Sequence, residues 1–179
     1  MLCFAYQEVV ALKIRNIVLC GLFAGLLCVC AWLGVSAGDF VFTLQTFAVF
    51  LTLLLLGGKR GSAAIGIYLL LGAVGLPVFS GFRGGLGWLL GATGGYLTGF
   101  LFTGLVYWLL HRLTGRQIPA LLAGLFVCYL FGTGWYAHLY AQSGFWAILA
   151  KCVLPYLVGD GIKLLLALAL SKKLQRFVY

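Results

Sequence analysis

Six long apolar runs, almost free of charged residues, take up most of this 179-residue chain. A helix needs about 20 mainly apolar residues to cross the hydrocarbon core of a bilayer. Only 8% of the residues are charged, whereas an ordinary soluble domain has about 25%. The pattern predicts an all-α integral membrane protein, a single domain over residues 1–179 with six transmembrane helices. The predicted spans lie at roughly 16–36, 40–57, 62–79, 88–110, 118–138 and 148–170.

The basic residues indicate how the spans are oriented. Nine of them lie near the termini or in the loops after spans two and four: Lys13, Arg15, Lys59, Arg60, Arg112, Arg116, Lys172, Lys173 and Arg176. The loops on the opposite side carry only Arg83 and Lys151, together with Asp39. Because Lys and Arg are enriched in cytoplasmic loops, both termini are predicted to be cytoplasmic. The net charge of +9 thus reflects topology, and we expect no nucleic-acid partner.

Two ionisable residues lie inside the last predicted span. Asp160 and Lys163 are three residues apart, so they share one face of a helix. A charge near the bilayer centre costs at least a few kcal/mol and is rarely found there without a partner or a ligand. Either the pair only neutralises itself as a salt bridge, or it jointly holds a polar molecule. It is the first candidate binding site.

Small residues recur at helical spacing in two spans. In span one they are Cys20, Gly21, Ala24, Gly25 and Cys28. In span four they are Gly91, Gly95 and Gly99. Because these side chains are small, another helix can pack closely against them, either within the chain or, for span one, from another membrane protein. The glycine-rich loop before span four is a candidate lid or pocket wall.

The sequence lacks recognisable catalytic and metal-binding patterns. Its glycine-rich runs do not end in the Gly-Lys-Ser/Thr of a nucleotide-binding loop. Its six cysteines are scattered, and no nucleophile lies at catalytic spacing from a base. We therefore expect neither enzyme activity nor a metal or cofactor, so that any ATP is used by partner subunits.

Several segments together resemble one family. They are residues 42–46, 72–79 and 91–100, and the motif Gly159-Asp160-x-x-Lys163. In the same order, they look like the BioY family, the biotin-binding substrate (S) components of energy-coupling factor (ECF) transporters. The resemblance covers about residues 20–173. The family usually has Gly-Pro-Thr-Gly-Gly-Tyr at the start of span four, whereas this chain has Ala92 in place of the proline.

The resemblance implies a six-helix S component that captures biotin with high affinity from the outer side of a bacterial plasma membrane. Its partners in that family are a transmembrane coupling subunit and two cytoplasmic ATPase subunits. The small-residue strip on span one resembles the Ala-x-x-x-Ala docking motif of the family. Another vitamin, such as thiamin or riboflavin, and a self-sufficient small carrier are the alternatives.

Together with the chemistry of biotin, the resemblance suggests residues for the site. Asp160 is expected to accept from a ureido N–H group, and Lys163 is expected to donate to the polar head while neutralising the aspartate. Further hydrogen-bonding candidates are Thr43, Gln45, Thr93 and Tyr96, and candidates for apolar cover are Phe79 and Trp88. The valerate carboxylate would meet Arg83, Lys151 or Lys163.

Overall fold

A computed structural model describes the backbone of residues 2–37, 40–139, 148–149 and 153–178. It contains helices α1 (Leu2–Trp32), α2 (Gln45–Ala73), α3 (Leu86–Leu89), α4 (Gly94–Thr114), α5 (Gln117–Leu139) and α6 (Leu154–Val178), and strands β1 (Gly34–Ala37) and β2 (Phe40–Thr43). Four of the described helical stretches are long and apolar enough to cross a membrane: Leu12–Trp32, Gln45–Ala73, Gln117–Leu139 and Leu154–Arg176. The chain is a multi-pass helical membrane protein.

Helix α2 consists of two antiparallel arms joined at Gly57. This glycine has φ 74° and ψ 175°, outside the helical region, and it tolerates that conformation because it has no Cβ. Gln45 Nε2 donates to the Tyr68 hydroxyl at 2.7 Å, although a straight helix would separate these residues by about 34 Å. The chain therefore reverses beside Lys59 and Arg60, the basic pair that follows predicted span two.

The predicted boundaries around residues 33–44 are wrong. Span one was expected to reach residue 36, but α1 ends at Trp32; span two was expected to begin at residue 40, but α2 begins at Gln45. The intervening residues form the antiparallel hairpin β1–β2, with Gly34 opposite Thr43. The physical reason is local composition, because the β-branched and aromatic residues of Phe40–Thr43 suit an extended strand as well as an apolar span.

Two further predicted boundaries need correction. Span three was expected to extend to residue 79, but α2 ends at Ala73, where Gly75 adopts φ 106° and cannot continue a helix. Span four was expected to run unbroken over residues 88–110. Instead, the short helix α3 ends at Leu89 and α4 begins at Gly94.

The last span is also displaced along the chain. It was expected at 148–170, whereas α6 runs from Leu154 to Val178. Pro155 lies at the second position of this helix, where the missing backbone N–H would have no helical partner in any case. Residues 148–149 are helical, and residues 150–152 lie outside the described part of the chain.

Helix α2 lies at the centre of the described bundle, with α1, α4 and α6 packed around it and α5 packed on α4. Glycines bring α4 and α5 close together. A Cβ atom on Gly95 would lie 2.4 Å from Trp135 Cβ, and one on Gly99 would lie 2.7 Å from Cys128 Sγ. The spacing of glycines in span four therefore serves a helix contact within the chain.

Candidate functional site

The two ionisable residues of α6 form a buried cluster with a tyrosine of α5. Lys163 Nζ lies 2.7 Å from Asp160 Oδ1, and the Tyr129 hydroxyl donates to Asp160 Oδ2. The side chains of Asp160 and Lys163 are only 4% and 12% exposed, respectively. Each carboxylate oxygen thus has a donor, which offsets part of the cost of burying the charge.

A cavity of about 460 Å³ adjoins this cluster. Its walls come from the end of α1, the β1–β2 hairpin and α6, and consist of Trp32, Leu33, Gly34, Phe42, Thr43, Leu44 and Lys163. Small-molecule sites are typically cavities of about 300–1,000 Å³ with apolar walls and a few placed polar groups. Lys163 belongs both to the buried ion pair and to the cavity wall, so it connects the charges to the space in which a ligand fits.

A second polar chain leads from the cavity into the core. Thr43 Oγ1 donates to Gln45 Oε1 at 3.0 Å, and Gln45 Nε2 donates to the buried hydroxyl of Tyr68. The Phe42 ring lies 4.8 Å from the Tyr156 ring and so joins the hairpin to α6. The structure therefore brings Thr43 and Gln45, two of the predicted site residues, to the hairpin side of the cavity.

The loop between α2 and α4 packs on the end of α1. Trp32 Nε1 donates to the Pro77 carbonyl at 2.9 Å, and the Phe82 ring stacks on Trp32 with 4.9 Å between centroids. The Arg83 guanidinium lies 4.4 Å from the centre of the Trp88 ring, within the range of a cation–π contact. Arg83 and Trp88 thus pair with each other and do not line the cavity described above.

Three other predicted site residues also lie away from the cavity wall. Phe79 is fully buried and packs edge-to-face on Tyr68 at 5.6 Å, so it belongs to the core. The Tyr96 hydroxyl shares a hydrogen bond with Thr133 Oγ1 at 3.2 Å across α4 and α5. Thr93 is exposed just before α4. None of these three residues lines the cavity described above, and their assignment to the site stays a prediction.

The small-residue strip on α1 divides into an inner and an outer set. The inner residues Cys20, Ala24 and Cys28 are buried against the rest of the chain. The outer residues Gly21 and Gly25 are exposed, and a Cβ atom on either would meet nothing within 4 Å. The face of α1 that remains open to another helix is therefore carried by Gly21 and Gly25.

Sequence reasoning missed three aromatic residues of the site: Trp32, Phe42 and Tyr129. The signal for Tyr129 was present, since a tyrosine within an apolar span needs a partner for its hydroxyl. Trp32 and Phe42 gave no such signal, because their role depends on the hairpin that follows α1. Within the described residues, no group of three His, Cys, Asp or Glu side chains is placed to hold a metal ion. The predicted outer residues Lys151 and Asp39 lie outside the described part of the chain.

The bundle and its buried charge cluster define a membrane protein of the S-component class. The fold matches the crystal structure of an S-component for biotin from an ECF-type ABC transporter with a TM-score of 0.82, at 25% sequence identity and with 93% of each chain covered. The model of the BioY family matches residues 6–179, and the chain belongs to this family.

Curated relatives come from both bacteria and archaea. The chain is 36% identical over 168 residues to the biotin transporter BioY of Thermotoga maritima, covering 90% of this chain and 96% of the relative. It is 40% identical over 164 residues to the probable biotin transporter BioY of Pyrococcus horikoshii, covering 92% and 98%, respectively. These relatives are named as transporters, which agrees with the expectation of a protein that is not an enzyme.

Proposed function

We propose that this protein captures biotin as the S component of an ECF-type importer. The observation that carries the proposal is the buried Asp160–Lys163 pair, whose lysine lines a ligand-sized cavity. A pair that served only to neutralise charge would have no need of such a cavity. The names of the relatives, all biotin transporters, support the choice of biotin.

The chemistry of biotin fits the groups around the cavity. Its ureido ring has two N–H donors and one carbonyl acceptor, its fused rings are apolar, and its valerate tail is an anion. Asp160 provides the acceptor and Lys163 the donor for the ureido head, with Thr43 as a further polar group. Trp32 and Phe42 provide aromatic wall for the fused rings.

The valerate carboxylate needs a cationic or polar partner toward the outer end of the site. The candidates are Arg83, which lies in the loop that packs against Trp32, Lys151, which lies outside the described residues, and Lys163. If Lys163 binds the ureido carbonyl, the partner of the valerate carboxylate is Arg83 or Lys151. Within the described residues, the exposed Arg83 side chain contacts Trp88, and its exposure allows it to turn toward a ligand.

The binding assignment is tested by titrating the purified protein with biotin, thiamin and riboflavin. We expect saturable binding of one biotin per chain and no competition from the other two vitamins at equal concentration. We expect this selectivity because thiamin has no N–H donor beside a carbonyl, and because the three fused rings of riboflavin are bulkier than the two fused rings of biotin. Tight binding of thiamin or riboflavin, together with no binding of biotin, would show that the protein is an S component for another vitamin.

Energy for uptake is proposed to come from partner subunits, a membrane-embedded coupling subunit and two cytoplasmic ATPases. The support is the absence of a nucleotide-binding loop from the sequence and the open strip at Gly21 and Gly25 on α1. Small exposed residues at four-residue spacing let another helix approach closely. Liposomes that contain the chain alone are therefore expected to bind biotin without accumulating it, whereas accumulation would favour the self-sufficient carrier.

Substituting leucine at the open strip is expected to break the association with the coupling subunit. In the double variant Gly21→Leu/Gly25→Leu, two bulky side chains hold a partner helix away, while the cavity is untouched. We expect co-purification with the coupling subunit to fall by at least about ten-fold, which corresponds to the loss of about 1.4 kcal/mol. Biotin affinity should stay within about two-fold of the parent.

The matched control for this variant is Gly66→Leu. Gly66 also has nothing within 4 Å of an added Cβ, but it lies on the second arm of α2. The Gly66→Leu variant should leave both co-purification with the coupling subunit and biotin affinity unchanged. Equal loss of co-purification in the control and in the α1 variant would show that the strip has no special role.

A further inference from the structure

Two neighbouring helices each carry an exposed cation at the predicted cytoplasmic end of the bundle. Lys59 follows the Gly57 turn of α2, and Arg112 lies in the last turn of α4. Among the residues that the structure describes, no carboxylate lies within ion-pair distance of either cation. Cations without counter-charges at the cytoplasmic membrane surface attract anionic lipid head groups.

The packing of α2 on α4 brings these two cations close together. A Cβ atom on Gly58 would lie 2.5 Å from Trp108 Cα, so the backbone of the next residue, Lys59, lies beside Trp108. Arg112 follows Trp108 by one turn on the same face of α4. The Lys59 and Arg112 Cα atoms therefore lie within roughly 14 Å of each other, a gap that the two long side chains can close around one phosphate group.

Trp108 adds an N–H donor beside the two cations. Its side chain is 39% exposed. Its Cδ1 atom, which is bonded to the ring nitrogen, would lie 2.9 Å from a Cβ atom on Gly58, so the N–H edge of the ring lies beside the α2 turn. The indole N–H groups of Trp32 and Trp135 donate to backbone carbonyls, whereas that of Trp108 has no acceptor among the described residues. It can donate to an oxygen of a phosphate or an ester.

The outer face of α4 is apolar above this cluster. Leu105 and Leu109 are both exposed, and each lies within one turn of Trp108. An apolar helix face at this depth contacts lipid acyl chains. An anionic phospholipid matches both parts of the surface, because its phosphate suits the cations and its acyl chains suit the leucines. A soluble phosphate or an acidic protein loop would match the cations alone.

We propose that Lys59, Trp108 and Arg112 form a binding site for one anionic phospholipid of the cytoplasmic leaflet. The two cations bind the phosphate, the Trp108 N–H group donates to a phosphate or ester oxygen, and the acyl chains lie along the outer face of α4. The biotin cavity adjoins the start of α2, whereas the lipid site lies at the turn between its two arms. The lipid site is therefore independent of the proposed substrate.

The test measures lipid binding to the purified protein by native mass spectrometry in detergent. Phosphatidylglycerol and phosphatidylcholine are added separately at the same concentration. We expect the parent protein to retain one phosphatidylglycerol and to bind phosphatidylcholine at least about ten-fold more weakly. In Lys59→Gln/Arg112→Gln, the affinity for phosphatidylglycerol should fall by at least about ten-fold, because two charged hydrogen-bond donors are lost. Trp108→Phe, which lacks the N–H group, should weaken it by about three- to ten-fold.

The matched control is Lys172→Gln/Lys173→Gln, which removes two exposed cations from the same predicted side of the membrane, on α6. It should keep the parent affinity for phosphatidylglycerol. Equal losses of affinity in the two double variants would overturn the inference, because they would show a diffuse attraction to basic residues. Loss of the coupling subunit from Lys59→Gln/Arg112→Gln, with phosphatidylglycerol retained, would overturn it in favour of a protein partner.

Two results on the parent protein alone would also overturn the inference, even if a variant failed to fold. The first is equal retention of phosphatidylglycerol and phosphatidylcholine. The second is release of phosphatidylglycerol by millimolar inorganic phosphate, which would show that the cations bind a soluble anion as well as they bind a lipid.

Discussion

Replacing Asp160 with Asn, or Lys163 with Ala, is expected to weaken biotin binding by about ten-fold to more than a hundred-fold. In the proposed site, each substitution removes a hydrogen bond between a charged group and the ligand head. Each also leaves a buried partner without its opposite charge, since the two side chains lie 2.7 Å apart and are almost fully buried. Breaking a buried ion pair on one side typically costs about 3–5 kcal/mol of stability. The dissociation constant and the melting temperature should be measured on the same preparations.

A double variant separates the role of the pair in binding from its role in folding. Asp160→Asn/Lys163→Met removes both charges together, a change that often leaves stability nearly unaltered. We expect this protein to melt close to the parent temperature and still to lack tight biotin binding. The control is Lys172→Ala, an exposed cation on the same helix, which should change neither quantity. Parent-like biotin affinity in the double variant would show that the pair only permits insertion into the membrane.

The second large effect is expected at Gly58, where α2 and α4 are in close contact. A Cβ atom on Gly58 would lie 2.5 Å from Trp108 Cα, a backbone atom that moves only if the helix moves. Gly58→Ala is therefore expected to destabilise the protein by about 1–3 kcal/mol. For a chain of this length, that lowers the melting temperature by about 2–4 °C per kcal/mol.

Gly66→Ala is the matched control for Gly58→Ala. It makes the same chemical change on the same arm of α2, but the added Cβ meets nothing within 4 Å. Because alanine is the better helix former by about 0.5–1 kcal/mol, the control should melt at or slightly above the parent temperature. If Gly58→Ala and Gly66→Ala melted at the same temperature, the close approach of α2 and α4 would not be a source of stability.

The features that sequence could predict are those that depend on the membrane itself. Apolar runs and the scarcity of charge indicate a helical membrane protein, since few other structures satisfy the backbone in lipid. The same argument singled out Asp160 and Lys163, because a charge in an apolar span needs a partner. The structure pairs them at 2.7 Å, as the i, i+3 spacing allowed.

The features that were missed depend on contacts between distant parts of the chain. The strands Gly34–Ala37 and Phe40–Thr43 are as apolar as the ends of a transmembrane helix, and only their pairing with each other distinguishes them from helix. Tyr129 meets Asp160 from 31 positions away along the chain, a contact that no local pattern reveals. Phe79 packs on Tyr68 and Tyr96 bonds to Thr133, both outside the cavity wall, and their place in the site stays a prediction.

The most direct test of a biotin site at Asp160 and Lys163 is mass spectrometry of the small molecules that stay bound during purification. The parent protein and Asp160→Asn/Lys163→Met should be produced side by side in cells supplied with biotin. We expect close to one biotin per chain from the parent and none above background from the double variant. Equal amounts of biotin from both proteins, or a different vitamin from the parent, would contradict this assignment.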